Sequence, residues 1–505
     1  MKKIFYVLIL SALVFVACGS CGESDPPGHI DLSHELLHGR DLGGMVITIT
    51  RMAPGMPDEC SETYHLSEWI EWLDDEMLEQ LHAQWAARRA LEERYNFRVR
   101  YVGYGEMDTQ RWDQDAWARI ETDFIEGLEA EIRAGNRDYT VWALSPMQII
   151  QPNSLGLLAP IPPEAFPSAS ERAWNRMVWD WSMRGGVPHA FSPEGEGLRW
   201  PSGRGILFNM RLFEEAGLPP DLPFTLQASG EWTWDALHSA ARQIATMRGP
   251  ESEIVPLAFM NSQDFTGQAL MSNDADFTRL NFETGQFVDA TNSPEFLQTL
   301  EWLVEMRDEG LVMDLSRDFR VEDRGEWTTR TRFDDENAAM FASSFHSPSE
   351  LPHNEWGFVT FPKGPNATSH YTPSFRSPIY VIPYFFSPQE VEDIIFALGQ
   401  WYRATETDDM PSWMGMANET FENADPRSIS ETMVNFTENP ELHRMLSINM
   451  MPWLSWEDSF SYIWQQWDWY SSGDWFDPQP STQSVQEIIA ETQSAWYEFL
   501  ERINN

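Results

Sequence analysis

Cysteine is nearly absent from the chain: Cys18, Cys21 and Cys60 are the only three in 505 residues. So few thiols cannot build a disulfide framework for a protein this long, and with no pair of CxxC motifs and no Cys/His run they offer no structural zinc site. Positive charge is scarce too, 34 Lys plus Arg facing 79 Asp plus Glu for a formal charge of -45. Proteins that hold nucleic acid by neutralising phosphates need basic surface, so that class is excluded and anionic partners are disfavoured. No apolar run reaches the 18 or so residues that a membrane-spanning helix needs. GxSxG, P-loop and GxGxxG segments are missing, which leaves nucleophile-elbow and nucleotide-driven chemistry without support. No internal repeat is visible. What is present, 42% hydrophobic residues in a long chain, is enough for two or three globular domains held together by burial alone.

The N-terminus reads as an export signal. Lys2-Lys3 forms a charged start, Ile4 to Val16 an apolar stretch too short to span a membrane, and Ala17-Cys18 is similar to a bacterial lipoprotein cleavage site. Residues 1–17 are therefore expected to be removed, with Cys18 lipidated and residues 18–40 serving as tether. Whether Cys21 and Cys60 pair is left open by the sequence. Loss of Lys2 and Lys3 takes the formal charge from -45 to -47 and leaves Lys363 as the sole lysine. An acidic surface that prefers Arg to Lys suits a saline or alkaline exterior, where Arg keeps its charge and carboxylates favour solubility.

Beyond the tether, strand and helix patterns alternate. Met45 to Thr50 reads as a buried strand, a helix follows from about Ser67, and Phe97, Val99 and Tyr101 alternate with Arg98 and Arg100 as a second strand. Ile120, Phe124, Leu128 and Ile132 mark another helix, stopped by Gly135 before the strand Tyr139–Leu144. Thr233, Ser293-Pro294, the capping box Ser387 to Glu390 and Ser484 to Glu487 each open a further helix. Trp356–Phe361 and Ile379–Ile382 return as strands between them, so the chain revisits its sheets. The alternation predicts parallel, doubly wound α/β architecture.

Several segments, in order, carry a resemblance. Asp41-Leu-Gly-Gly44, Glu93 to Val99 and Ala134-Gly-Asn-Arg-Asp138 precede the first three strands; Gly205 to Pro219 (GILFNMRLFEEAGLP) runs on to Gly230-Glu-Trp-Thr-Trp-Asp235. Asn281 to Gly285, Ser293-Pro294, Glu309-Gly-Leu311, Glu336 to Met340 and Phe361 to Pro365 follow. Together they resemble the family 1 extracellular solute-binding proteins of ABC importers, the cluster that includes maltose-binding protein. At Glu336-Asn337 the family's Gly-Lys is replaced, in a turn expected to lead into a helix. The resemblance covers roughly residues 41 to 500. It implies a type II periplasmic-binding-protein-like fold: two discontinuous α/β lobes with a ligand cleft between them. The expected division is 41–155 and 335–375 for lobe 1, 156–334 and 376–505 for lobe 2.

The aromatic load, 24 Trp, 30 Phe and 13 Tyr in so acidic a chain, suits a sugar, whose C–H faces stack on rings while its hydroxyls take planar polar partners. By resemblance, the cleft is lined by Arg51 and Met52 after the first strand, Ser145 after the third, Trp200 and Arg204 before the GILFN segment, Phe345 and His346, Phe375 and Arg376, and Trp413, Trp453 and Trp456. Ligands in open α/β sheets sit beyond the carboxyl ends of strands, which agrees with these positions. Trp232 and Trp234 flank the cap Thr233 and are assigned to helix-start packing. His34-Glu-Leu-Leu-His38 fits the HExxH zinc pattern, but it precedes the first strand, where no core exists to hold a metal helix, and reads as an ordinary amphipathic turn. The expected function is a lipid-anchored, extracytoplasmic, monomeric binding protein that delivers a carbohydrate, an oligosaccharide above all, to an ABC permease, with no cofactor, metal or catalysis. The alternatives are a secreted glycoside hydrolase with a carboxylate pair, or a binding protein of the same fold for a peptide or polyamine.

Overall fold

The computed structural model describes residues 40–52, 75–104, 114–166, 169–192, 204–247, 254–259, 262–281, 283–314, 333, 337–344, 355–373, 379–403, 417–418, 420–444 and 484–504. The chain divides into Met1–Asp41 and a body from Leu42 to Asn505, and the elements below belong to the body.

Strand β1 (Met45–Met52) is followed by helix α1 (Asp75–Tyr95), β2 (Phe97–Tyr104), α2 (Gln114–Arg133), β3 (Val141–Leu144), α3 (Pro146–Ser154) and α4 (Ala169–Ser182). β1 pairs in parallel with β2 and β3, and the chain returns much later to add an antiparallel fourth strand, giving the order fourth-β3-β1-β2. Alternation decides which side chains go where. Ile47, Ile49, Val141 and Ala143 share a core with Trp85 of α1, while Trp142 and Leu144 face Phe124, Leu128 and Ile132 of α2.

The second stretch runs β4 (Arg204–Asn209), α5 (Met210–Glu215), α6 (Leu222–Ser229), α7 (Trp234–Ala245), β5 (Val255–Phe259), α8 (Ser262–Ser272), the hairpin β6 (Thr278–Asn281) and β7 (Gln286–Asp289), α9 (Pro294–Asp308), β8 (Val312–Asp314), β9 (Ala338–Ser344) and β10 (Trp356–Thr360). Its five-stranded sheet has the order β10-β4-β9-β5-β8. The caps act as the sequence implies: Thr233 Oγ1 accepts from Ala236 N at 3.4 Å and Ser293 Oγ from Phe296 N at 3.3 Å. Trp232 and Trp234 are buried at the helix start, their indoles donating to the Thr360 carbonyl and to Ser272 Oγ.

The last stretch holds β11 (Thr372–Pro373), β12 (Ile379–Val381), α10 (Pro388–Arg403), a π-helical turn (Ser428–Met433) running into α11 (Val434–Glu438), β13 (His443–Arg444) and α12 (Val485–Asn504). β12 is the antiparallel fourth strand of the first sheet. α10 joins α1 on that sheet through Val391, Ile394, Leu398 and Trp401. Its start is the expected capping box, with Ser387 N donating to Glu390 Oε2 at 2.8 Å and Glu390 N to Ser387 Oγ at 3.4 Å.

The two sheets are built alike. Each has a first strand (β1 or β5) flanked by two parallel neighbours, and beyond one neighbour lies an antiparallel strand supplied by the chain just after it has crossed from the other lobe: β12 in the first, β4 in the second. The mixed α/β class and the doubly wound pattern hold, but the expected division does not follow the strand pairing. β9 and β10 pair with β4 and β5 in the second lobe, rather than joining lobe 1 as part of 335–375, and β12 with α10 belongs to the first lobe, rather than to a lobe 2 of 376–505. Residues 157–161 and 188–191 also lie with the first lobe, where Ala159 N donates to Ile382 O at 2.7 Å and Phe191 N to Tyr380 O at 2.9 Å. The helix expected after Glu336-Asn337 is strand β9, since alternate residues of Ala338–Ser344 are needed on both faces of a central strand.

Candidate functional site

Strand directions place the cleft. β1, β2 and β3 end together, so Met52, Tyr104 and Leu144 mark the carboxyl edge of the first sheet, with Ile379, the first residue of β12, opposite Leu144. In the second sheet β5, β8, β9 and β10 end at the edge where β4 begins, and Arg204 lies opposite Ser344. Phe191, bridged antiparallel to Tyr380, leads from the first carboxyl edge toward Arg204 at the second. After β10 the chain returns from the second carboxyl edge to Ile379 at the first. Both crossovers thus join carboxyl edge to carboxyl edge. Pro373 and Ile379 are six residues apart, which limits the span there to about 20 Å of extended chain.

Of the residues singled out from sequence, Arg51, Met52, Ser145 and Arg204 fall on these edges. Trp200, Phe345, His346, Phe375, Arg376, Trp413, Trp453, Trp456 and the lipidation candidate Cys18 lie outside the described residues, as do Cys21, Cys60 and the HExxH segment.

Arg51 is half-buried on the α1/α10 side of the first sheet, its guanidinium 5.6 Å from the centre of the Tyr101 ring. Tyr402, near the end of α10, hydrogen-bonds through its hydroxyl to those of both Tyr101 and Tyr380. Three phenols from β2, β12 and α10 therefore gather beside Arg51. Nothing in the sequence singles them out, because they are 22 and 301 residues apart and each looks like an ordinary core aromatic. Ser145 follows β3 as the cap residue of α3. Its N–H donates to Gln148 Oε1 at 2.9 Å, while its Oγ is buried and unpartnered. Thr50 Oγ1 and Thr360 Oγ1 are likewise buried without partners. Orphaned indole N–H groups of Trp302 and Trp356 lie within the cores, so it is the combination with edge position that marks these hydroxyls as sites for a polar ligand or water.

The floor is built by the crossovers. Arg204 N donates to Thr372 Oγ1 at 3.1 Å, β11 pairs in parallel with β13, and the Arg444 guanidinium lies 4.2 Å from the centre of the Tyr371 ring. Asp180 of α4 sits in the field of Arg176 and Arg444, yet burial dominates and raises its pKa above the usual carboxylate value. His370 donates from Nδ1 to the Phe361 carbonyl, 3.2 Å away, and burial lowers its pKa. A neutral imidazole, phenols, hydroxyls and arginines are the hydrogen-bonding set of a site for polar, uncharged or anionic groups.

Among the described residues one cluster, His238, Glu305 and Glu309, has the donor types for a metal. Arg242 already occupies it, donating to both carboxylates and holding the Glu309 pKa down at about 2, so it reads as an ion-pair network between α7 and α9. No helix among the described residues is long and apolar enough to cross a membrane.

No protein-family model and no curated protein matches the chain. Solved structures do. The cyclic alpha-maltosyl-1,6-maltose binding protein from Arthrobacter globiformis superposes with a TM-score of 0.52 at 14% identity, covering 91% of this chain and all of that one. UspC of M. tuberculosis gives 0.53 at 15% identity over 89% of this chain and all of that one. The chain therefore has the two-lobe, periplasmic-binding-protein-like α/β fold that the sequence resemblance implies.

Proposed function

We propose that the protein is a substrate-binding component of an ABC importer, held outside the cytoplasmic membrane by lipidated Cys18, that takes a carbohydrate between its lobes and presents it to a membrane permease. The observation that carries this reading is the pair of like-ordered sheets joined carboxyl edge to carboxyl edge, on a fold shared with a maltosyl-maltose binding protein. Arg51, Ser145 and Arg204 stand at those edges with the Tyr101–Tyr402–Tyr380 cluster behind them. Stacking from aromatics and hydrogen bonds from these polar groups would favour a closed arrangement of the lobes over an open one, and that difference in affinity is the signal a permease reads.

The test is calorimetric titration of the mature protein with neutral mono- and oligosaccharides, followed by recovery of the glycan. Saturable binding with the glycan intact supports the reading. Release of shortened products would favour a hydrolase, and binding of cationic peptides or polyamines alone would replace sugar as the ligand class. Membrane partition lost in Cys18→Ala would support the anchor.

A further inference from the structure

The residue that follows β10 fixes the chemistry of a histidine ring. The Phe361 carbonyl lies 3.2 Å from His370 Nδ1 and has no proton to give, so Nδ1 carries the hydrogen. In the neutral ring Nε2 is then the acceptor nitrogen, and it is buried without a partner. Thr360 Oγ1, one residue before the accepting carbonyl, is buried and unpartnered as well. The end of β10 thus offers an acceptor of fixed tautomer and a hydroxyl, neither of them used by the protein itself.

Both groups stand on the carboxyl edge of the second sheet. Thr360 pairs with Gly205, next to Arg204 at the start of β4, and Thr372, two residues after His370, takes the Arg204 N–H on its Oγ1. Between them the Tyr371 ring lies against the Arg444 guanidinium, and its hydroxyl bonds to that of Thr368 at 2.9 Å. His370 is therefore held on a braced loop where the second crossover leaves. Burial, the largest influence, and the nearby Lys363 ammonium lower its pKa against the opposing bond to Phe361. Arg204 and Arg444 add positive charge on either side, and the carboxyl group of this floor, Asp180, lies in the field of Arg176 and Arg444. A ligand laid over the ring shields it further from water, which favours the neutral form again. We propose that His370 is a specificity-determining residue of the cleft: Nε2 accepts a hydrogen bond from a ligand hydroxyl, and a proton bound at that nitrogen competes with the ligand. The inference rests on the carbohydrate reading and deepens it. Binding then releases a proton, so affinity is full above the pKa of the ligand-free ring and falls as pH drops through it.

The test measures that release. Maltotetraose, cellotetraose and xylotetraose are titrated calorimetrically into the mature protein at pH 7.5 and 5.0, in pairs of buffers that differ in ionisation enthalpy. For a glycan that binds, affinity should be several-fold weaker at pH 5.0, with about thirtyfold as the ceiling for one proton on an imidazole whose pKa is no higher than the ordinary 6.5. His370→Gln keeps an amide that can donate to the Phe361 carbonyl and still present an oxygen; it should bind within about threefold of the wild type at pH 7.5 and lose the pH dependence. His370→Ala should bind about two- to tenfold more weakly at pH 7.5, one hydrogen bond's worth, with the same loss. Binding that is equally tight at both pH values, or a pH dependence that survives in both variants, overturns the role of His370 and leaves the carbohydrate reading standing. No binding of any of the three by the wild type defeats that reading and this inference with it. The ligand-free protein supplies a separate check: in nitrogen-15 histidine spectra at pH 7.5 the signal missing from His370→Gln should be that of an Nδ1-protonated neutral ring, and a proton on Nε2 would overturn the proposal.

Discussion

Thr372→Val removes one hydroxyl from the place where the second crossover leaves the second lobe. Thr372 is fully buried, and its Oγ1 is the acceptor for Arg204 N at the first residue of β4. Valine keeps the shape and the β-branch, so little changes in packing, but the Arg204 N–H loses its partner. An unsatisfied buried donor costs about 1–3 kcal/mol. The bond is 3.1 Å, near the long end of the normal range, and Arg204 is only half-buried, so the lower half of that interval applies, about 1–1.5 kcal/mol. With about 2.1 cal/mol/K of unfolding entropy per residue, a chain of this length should fall by about 1–2 °C in melting temperature. Differential scanning calorimetry of the two proteins in one buffer measures it. A neutral or stabilising Thr372→Val would refute the reasoning, because it would mean that Arg204 N finds another partner and that the crossover is not pinned to β4 through this hydroxyl.

Ser145→Ala deletes a buried, unpartnered Oγ; the unliganded protein should melt at the same or a higher temperature while affinity for a bound glycan falls by about two- to tenfold, one hydrogen bond's worth. Gly357→Ala places a Cβ 2.6 Å from Phe224 Cε2 and 2.7 Å from two atoms of the Phe208 ring, an overpacking that should cost about 2–3 kcal/mol in urea unfolding. Burial lowers the pKa of His189 and of His370. Between the lowered folded value and the unfolded value near 6.5 the unfolded chain binds more protons, so stability is full above about pH 6.5 and is lost as pH falls through that window. Melting temperatures at pH 7.5, 6.5 and 5.5 should decline, and less so in His370→Gln. Glu309 and Glu390 do not compete there, since hydrogen bonds from Arg242 and from Ser387 hold them below the usual carboxylate range and their contribution fades only in stronger acid.

Local chemistry is legible in the sequence and long-range pairing is not. Ser387 with Glu390, Ser484 with Glu487, Ser293 and Thr233 can be recognised as caps because their partners lie three residues away. Gly135, which ends α2 at a φ of +71°, carries the same kind of local signal. Arg51, Ser145 and Arg204 can be placed because each adjoins a strand end. Which sheet a strand joins depends on partners far away along the chain: Ile379 and Leu144, or Trp356 and Asn209, have nothing in their local pattern that says they pair. That is why the expected division, with 335–375 in lobe 1 and 376–505 in lobe 2, departs from the pairing of β9, β10 and β12, and why Ala338–Ser344, small and apolar, reads as helix. The Tyr101–Tyr402–Tyr380 cluster and the Thr372–Arg204 bond are hidden for the same reason.

The most direct test of carbohydrate binding follows tryptophan emission and melting temperature of the mature protein, with a tag in place of Cys18, as neutral oligosaccharides are added in low and in high salt. The expected result is a saturable emission change with one glycan class and a rise in melting temperature that grows with the logarithm of its concentration, about 2.7 kcal/mol at a hundredfold excess over Kd. No response to any glycan in either salt, beside a clear response to a peptide or polyamine, would contradict carbohydrate as the ligand.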